Sequence, residues 1–228
     1  MRVLGLVPAR GGSMRVPRKN LAVLGGRTLV RRALETAIAA GCFECVALSS
    51  DDDEILAEAE GLKVVALRRP AELADETSRA SDFALHALRE LDDPAAPIEA
   101  VAILQCTSPF TAPEDVVGAV ALLERTGAES VVTVSVADAA HHPLKMKRLD
   151  GDRLLPYLED DRLTPSHELE RLWLRNGSVY VFRRDVVERG LEADDVRGYE
   201  MPRDRSFDID TPRDLAFAEF LIARGEQS

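Results

Sequence analysis

Residues 3–20 read VLGLVPARGGSMRVPRKN, and the junction inside that stretch decides how the rest of the chain is read. Val3–Val7 is a continuous apolar run, which suits a strand covered on both faces rather than one half open to water. It stops at Pro8 and passes into a loop with two glycines, a serine and the basic residues Arg10, Arg15, Arg18 and Lys19. In an open parallel sheet, ligands bind beyond the carboxyl ends of the strands, so this loop lies where a ligand would be met. Gly11 and Gly12 let the backbone come close with its amides exposed, Ser13 adds a hydroxyl donor, and the four cations suit phosphate oxygens. The spacing matches neither G-x-x-x-x-G-K-[ST] nor G-x-G-x-x-G, so the P-loop and dinucleotide readings fail. A polyphosphate cradle and a solvated basic loop both remain open at this point.

Further along, apolar runs rich in Val, Ile and Leu occur at Val46–Ser49, Val64–Leu67, Val101–Gln105, Val131–Val136 and Val179–Phe182. Between them, Thr28–Ala40, Asp53–Glu60, Ser81–Leu91, Pro113–Arg125 and Pro212–Ala223 carry apolar residues at three- and four-residue spacing. Thr111 and Thr211 read as N-caps ahead of proline in the first helical turn. Strand–helix alternation predicts an α/β fold with a doubly wound, mostly parallel sheet. The rhythm breaks over 138–175, where several prolines, a DGD turn and mixed charge read as an inserted arm or hairpin. Residues 1–228 are otherwise expected to form one domain.

The acidic balance sharpens the question posed by the first loop. A net charge of −11 opposes binding to nucleic acid or an anionic membrane through a general field, so an anion must be met by a local cluster. No stretch approaches 18 consecutive apolar residues, and with only three cysteines the chain is expected in the reducing cytoplasm. Cys42 and Cys45 form C-x-x-C but sit after a helix and before a strand, where no helix N-terminus lowers a thiol pKa. The histidines at 141, 142 and 167 match no closed zinc set, and no G-x-S-x-G elbow occurs. Leu29, Leu34 and Ile38 at helical spacing are core.

The loop VPARGGSMRVPRKN resembles the signature of the CMP-sugar synthetases, the cytidylyltransferases that activate sialic and related nonulosonic acids, with Kdo cytidylyltransferases as cousins. The resemblance continues through LSSDDDEI, RRPAELADETS, LQCTSPFTAPEDV, HHPLK, RNGSVYVF and SFDIDTPRDLAFAE, in the family's order over nearly the whole chain. It implies a Rossmann-like nucleotidyltransferase that joins CTP to a small acidic acceptor, a sialic-like nonulosonic acid, and releases pyrophosphate. It also implies a homodimer in which the 138–175 arm contacts the second subunit, with no nucleic acid or membrane as partner. By the same resemblance Ala9, Arg10, Gly12, Ser13, Arg15, Lys19, Asn20, Arg69 and Ser108 hold the nucleotide. Gln105, Lys145, Asn176 and Tyr180 face the acceptor, while Asp208 and Asp210 bind Mg²⁺ or another divalent cation. Arg10, Lys19, Asp208 and Asp210 are then the catalytic set.

The residue types suit the chemistry. Attack on the α-phosphorus of CTP adds charge to the equatorial oxygens, and Arg, Lys, backbone amides and a hard cation stabilise it. Two aspartates one residue apart on an extended segment point the same way and can share one cation; the competing reading is that Asp210 helps cap the helix at Thr211–Pro212. Two positions depart from the family. Met14 stands where a lysine is usual, with Arg15 beside it, and Ser166 stands where sialic acid enzymes commonly carry an arginine. The departures leave two alternatives: the same chemistry on Kdo or a small phosphonate acid, or a CTP-binding protein without catalysis.

Overall fold

The computed structural model describes residues 1–12, 16–74, 78–158, 165–225 and 227. Ser13 and Arg15, both expected at the nucleotide, lie outside the described residues, as does Met14. Along the chain, β1 (Val3–Pro8) leads to a ribbon of β2 (Val23–Leu24) and β3 (Arg27–Thr28), then α1 (Leu29–Ala40), β4 (Cys45–Ser50), α2 (Asp53–Ala57) and β5 (Val65–Arg68). Next come α3 (Ala80–Leu91), β6 (Ala100–Leu104), α4 (Pro113–Thr126) and β7 (Ser130–Val136), and then a hairpin of β8 (Lys147–Asp150) and β9 (Arg153–Pro156). The chain returns through β10 (Trp173–Arg183), α5 (Arg184–Glu188), β11 (Val196–Glu200) and α6 (Pro212–Ala223).

Seven strands form one sheet in the order β11-β7-β10-β6-β1-β4-β5. The continuous apolar runs of β1 and β6 occupy its centre because their side chains are covered from both sides. Val3 and Val7 of β1, with Ala102 and Leu104 of β6, face a core built from Leu29 and Leu34 of α1 and Val116 and Leu123 of α4. Leu4, Leu6, Val101 and Ile103 face the opposite layer, with Ala84 and Leu88 of α3 and Val186 and Val187 of α5. Each Leu or Val so buried is worth about 1.5–3 kcal/mol over exposure, so neither face of the sheet is stable uncovered.

The expected doubly wound sheet is present, but it is not wholly parallel. β10 runs antiparallel to both β6 and β7, and β11 adds a parallel edge strand beside β7. The sequence Val-Arg-Gly-Tyr-Glu at 196–200 carries no apolar run because most of that strand is open to water. The helix expected over Asp53–Glu60 closes earlier, at Ala57. Thr111 does not cap α4: its Oγ1 donates to the Ser108 carbonyl, and Asp115 instead accepts from the backbone of Ala112, the N-cap. Thr211 does cap α6, accepting from Asp214 N.

The irregular arm is shorter than expected. β8 and β9 do form a hairpin around the DGD turn, in a two-stranded sheet of their own. The chain rejoins the main sheet at Trp173, which pairs with Val136 at the end of β7. Between Arg175 and Tyr180 the register of β10 against β7 shifts, and Gly177, at φ 77°, takes the left-handed turn that this bulge needs.

The loop that delivers the chain to β11 is tied by charge. Glu129, just before β7, accepts from the Arg189 guanidinium and from the backbone N–H groups of Asp194 and Asp195. These bonds favour its ionised form and hold its pKa down to about 2, against an ordinary value near 4.5. A depressed folded-state pKa contributes stability that is present above the unfolded value and is lost as pH falls toward the folded one. We therefore expect the wild-type chain to be more stable than Glu129→Gln at neutral pH. The gap between their urea midpoints should narrow steadily from about pH 5 down to about pH 2–3; a gap independent of pH would show that the clamp does not depend on charge.

Candidate active site

The site is built where β1, β4 and β6 end. β1 stops at Pro8, and Ala9 N bonds the Ser49 carbonyl of β4, so the first loop leaves the sheet directly above its carboxyl edge. Gly11 N donates to Asp51 Oδ1 at 3.0 Å. A Cβ at Gly11 would lie 2.7 Å from Asp52 Oδ2 and would force that side chain to shift; one at Gly12 would meet nothing within 4 Å among the described residues. The tight glycine packs the loop, and the open one leaves room above it. Asn20, buried under the loop, donates from Nδ2 to the Arg10 carbonyl at 3.0 Å and fixes where the Arg10 backbone turns.

A second guanidinium, that of Arg69, lies near enough to Arg10 for the two charges to act on each other. Arg69 follows β5, is almost fully buried, and donates from Nε to Ser49 Oγ and from Nη2 to the Ser49 carbonyl. Its guanidinium also lies 4.7 Å from the centre of the Phe83 ring. Burial pushes its pKa down to about 10; Asp51 opposes the shift and the neighbouring Arg10 adds to it. Arg69 therefore stays charged at neutral pH, held close to a second cation of the same sign. Like charges gathered at the mouth of a sheet favour an anion between them.

Lys19 joins the first loop to the far end of the chain. Its ammonium donates to the Ile209 carbonyl at 2.8 Å and lies 3.2 Å from Asp210 Oδ1. The DID segment alternates in burial: Ile209 is fully buried in the core and Phe207 packs between Phe110 and Phe217, while Asp208 and Asp210 are left more open. Ile209 N is held by the Thr107 carbonyl at 2.8 Å. Asp208 has its pKa pushed up, first by desolvation, with Asp210 adding to the shift and the Thr107 hydroxyl and Lys19 opposing it. The cap of α6 is Thr211, and Asp214 accepts from the backbone N–H of Asp210. Asp210 is thus not the cap, and its carboxylate faces Lys19 instead.

Arg18 does not join the cradle. It sits in the left-handed region at φ 52° and its guanidinium pairs with Asp52 and Glu54 at the start of α2, 3.3 and 2.9 Å away. The acidic first turn of that helix outcompetes the loop for this cation.

On the other side of β6, a cleft of about 380 Å³ is lined by Gln105, Arg175, Tyr180, Ile103, Phe182 and their neighbours. Gln105 N bonds the Ser178 carbonyl, which joins the end of β6 to the bulge of β10. Burial raises the pKa of Tyr180, with Arg175 opposing and Asp208 adding to the shift, so Asp208 and Arg175 both act on the one phenol. Asn176 spends its carboxamide inside the protein: Oδ1 accepts from Thr133 Oγ1 and Ser178 N, and Nδ2 donates to Ser206 Oγ. Ser108 is buried near the end of β6. Lys145, in the arm, donates to Ser166 Oγ at 2.9 Å, so the position that departs from the family and the expected acceptor lysine are brought together.

Comparison with known proteins decides the class. Residues 4–227 match the family described as Cytidylyltransferase. The chain belongs to the cytidylyltransferase family. This cytidylyltransferase is 30% identical to the CMP-N,N'-diacetyllegionaminic acid synthase of Legionella pneumophila, over all of this chain and 99% of that one. It is 27% identical to a pseudaminic acid cytidylyltransferase of Campylobacter jejuni, over 100% of this chain and 99% of the relative. Against N-acylneuraminate cytidylyltransferase A of Danio rerio the identity is 30% over 97% of this chain, which spans 51% of that longer protein. In fold it is similar to a CMP:2-keto-3-deoxy-manno-octonic acid synthetase solved with CTP, with a TM-score of 0.73 at 21% identity over 99% of this chain and 100% of that one. The expected Rossmann-like nucleotidyltransferase class is therefore correct. Among the described residues no helix is long and apolar enough to cross a membrane.

One residue of the cleft, Arg175, was read in the sequence only as the end of the irregular arm. The signal available was its place beside the NG pair, but its orientation depends on the bulge, which no local pattern announces. For the cations of the first loop the expected outcome is a sharp contrast. Lys19→Ala or Arg10→Ala should lower kcat/KM for CTP on the order of 100-fold. Arg18→Ala should leave it within about two-fold, because an exposed ion pair contributes little. Steady-state pyrophosphate release on folded variants measures both; equal losses at all three positions would overturn the division.

Proposed function

We propose that this enzyme transfers CMP from CTP to the hydroxyl of a nonulosonic acid, releasing pyrophosphate. The observation that carries the reading is the meeting of Lys19 with the DID segment, together with the neighbouring charges of Arg10 and Arg69. Relatives that align over the full length and are named for diacetyllegionaminic and pseudaminic acids support the acceptor class. The acceptor oxygen attacks the α-phosphorus, a new P–O bond forms, the bond from that phosphorus to the bridging oxygen breaks, and pyrophosphate leaves with the electron pair. The hydroxyl proton passes to solvent or to a neighbouring carboxylate. Arg10, Arg69 and Lys19 stabilise the charge that gathers on the phosphate oxygens, and the open backbone at Gly12 admits the triphosphate close to the loop. Ala9, Asn20 and Ser108 shape the nucleotide side, and Gln105, Lys145, Asn176 and Tyr180 the acceptor side.

Asp208 and Asp210 fit a hard divalent cation such as Mg²⁺. Desolvation raises the proton affinity of Asp208 and the nearby Asp210 carboxylate adds to it; a cation beside Asp208 would oppose both effects. Among the described residues no cluster of three or more His, Cys, Asp or Glu side chains is placed to hold a metal. A cation here would take its remaining ligands from phosphates and water, as Mg²⁺ commonly does. When bound, it would neutralise phosphate charge and polarise the α-phosphoryl group. We expect Asp210→Asn to abolish most turnover, Asp208→Asn to do so to a similar or smaller extent, and EDTA to stop the wild-type enzyme. Turnover that survives both substitutions in EDTA would show the segment to be a structural corner.

The arm supports a homodimer in the cytoplasm, where unpaired cysteines such as Cys42, Cys45 and Cys106 persist. Leu149 and Leu154 pair directly across β8 and β9 and are 72% and 67% exposed, with Tyr157 and Leu158 exposed beyond them. An isolated two-stranded ribbon is marginal in water, and an apolar patch on it marks a contact surface. A second copy, presenting the same patch, is the occupant we propose. Sedimentation should find a dimer for the wild-type protein and a monomer for Leu149→Asp/Leu154→Asp; a monomeric, fully active wild type would overturn it.

A further inference from the structure

We propose that Arg175 holds the carboxylate of the acceptor acid, with Tyr180 and Gln105 beside it, an assignment that rests on the cytidylyl-transfer reading above. The placement follows from the bulge in β10. Arg175 pairs with Val134 of β7, and Tyr180 pairs with Val132. Val134 and Val132 are two residues apart and so lie on one face of the sheet, which puts Arg175 and Tyr180 on that face too, roughly 7 Å apart along the strand direction. In an unbroken strand, residues 175 and 180 would point to opposite faces. Three extra residues in the bulge reverse that parity. On the other neighbour of β10, Tyr180 pairs with Ile103, and Gln105 follows two residues later on the same face. Gln105, Tyr180 and Arg175 consequently line one cleft.

Arg175 is the one charged side chain among the residues lining that cleft, and the rest are apolar or neutral. No described carboxylate pairs with it. The carboxylate in its own row of the sheet is Glu200, whose partner in register is also Val134. Glu200 is already engaged: one oxygen accepts from Arg171 and the other from Trp173 Nε1 at 2.8 Å. Asp208 acts on Tyr180 from the other side, but it is directed to Thr107, Asp210 and Lys19. Arg175 is exposed at the cleft, and a guanidinium with no acid partner among the described residues keeps its planar fork open to a carboxylate, which it matches through two parallel bonds. The triphosphate has its own cations at Arg10, Arg69 and Lys19. The anion that Arg175 meets is therefore the acceptor's.

The test uses the full chain with CTP and three acids, N-acetylneuraminate, N,N'-diacetyllegionaminate and Kdo, each compared with its C1 methyl ester, in which the carboxylate charge is gone. For the acid that the wild-type enzyme uses best, kcat/KM should exceed that of the ester on the order of 10- to 100-fold, the range for a charge-assisted bond. Arg175→Gln should raise the acceptor KM by that factor, collapse the acid-to-ester ratio toward one, and leave CTP affinity in titration calorimetry unchanged. Arg175→Lys keeps the charge without the fork and should preserve the preference for the acid at a raised KM, so it carries the test should the Gln variant fail to fold. An unchanged ratio in Arg175→Gln, or a loss confined to CTP affinity, overturns the assignment. Wild-type enzyme that releases no pyrophosphate with any of the three acids instead overturns the proposed acceptor class, and the assignment of Arg175 falls with it.

Discussion

One ammonium group holds the two halves of the candidate site together. Lys19 belongs to the first loop and Asp210 to the last, and the bonds from Lys19 Nζ to Ile209 O and Asp210 Oδ1 span almost the entire chain. Lysine suits this position because a compact ammonium has three donors: one goes to a carbonyl, one to a carboxylate, and a third remains. Its partners are rigid because Ile209 is sunk in the core. The cation that would otherwise swing in solvent is therefore held at a fixed point between the first loop and the acidic pair.

The segment that carries Asp208 and Asp210 is anchored from the side by a buried ion pair. Asp115, with no exposed surface, accepts from Arg205 Nε and Nη2 at 2.8 and 2.7 Å and also caps α4 through Ala112 N. A buried carboxylate is costly to desolvate, and this one offsets the cost with three directed bonds. The pair adds little net stability over an apolar substitute, but it fixes where the turn at Arg203–Arg205 leaves the sheet, and through that turn where the DID segment lies. Asn176 does the same from β10, bonding Ser206 on one side and Thr133 on the other.

What could be read in advance follows from the range of the forces involved. The continuous apolar runs at Val3–Val7 and Val101–Gln105 declare central strands because burial on both faces leaves no polar position, and the helices of three- and four-residue period between them declare the alternation. The basic, glycine-bearing loop was legible because Gly11, Gly12 and its cations sit together in sequence. The strand at 196–200 was not legible, since its exposed side chains impose no pattern. Nor was the fate of Arg18, which depends on Asp52 and Glu54 arriving from another strand–helix junction, nor the direction of Arg175, which depends on a bulge. Short-range periodicity is written locally; pairing between distant charges is written only in the folded arrangement.

The antiparallel strand has a consequence for how the molecule is assembled in time. β10 is made late, at residues 173–183, yet it lies in the middle of the sheet between β6 and β7. Until it emerges, β5, β4, β1 and β6 can pair with one another, while β7 has neither of its two neighbours, because β11 is later still. In any four-stranded sheet formed before β10, the edge is β6, whose residues are all buried in the folded chain. An apolar edge of that kind is a template for pairing with another chain. Insertion of β10 covers that edge and, in the same step, forms the cleft beside Gln105, so the cleft exists only once the edge is closed.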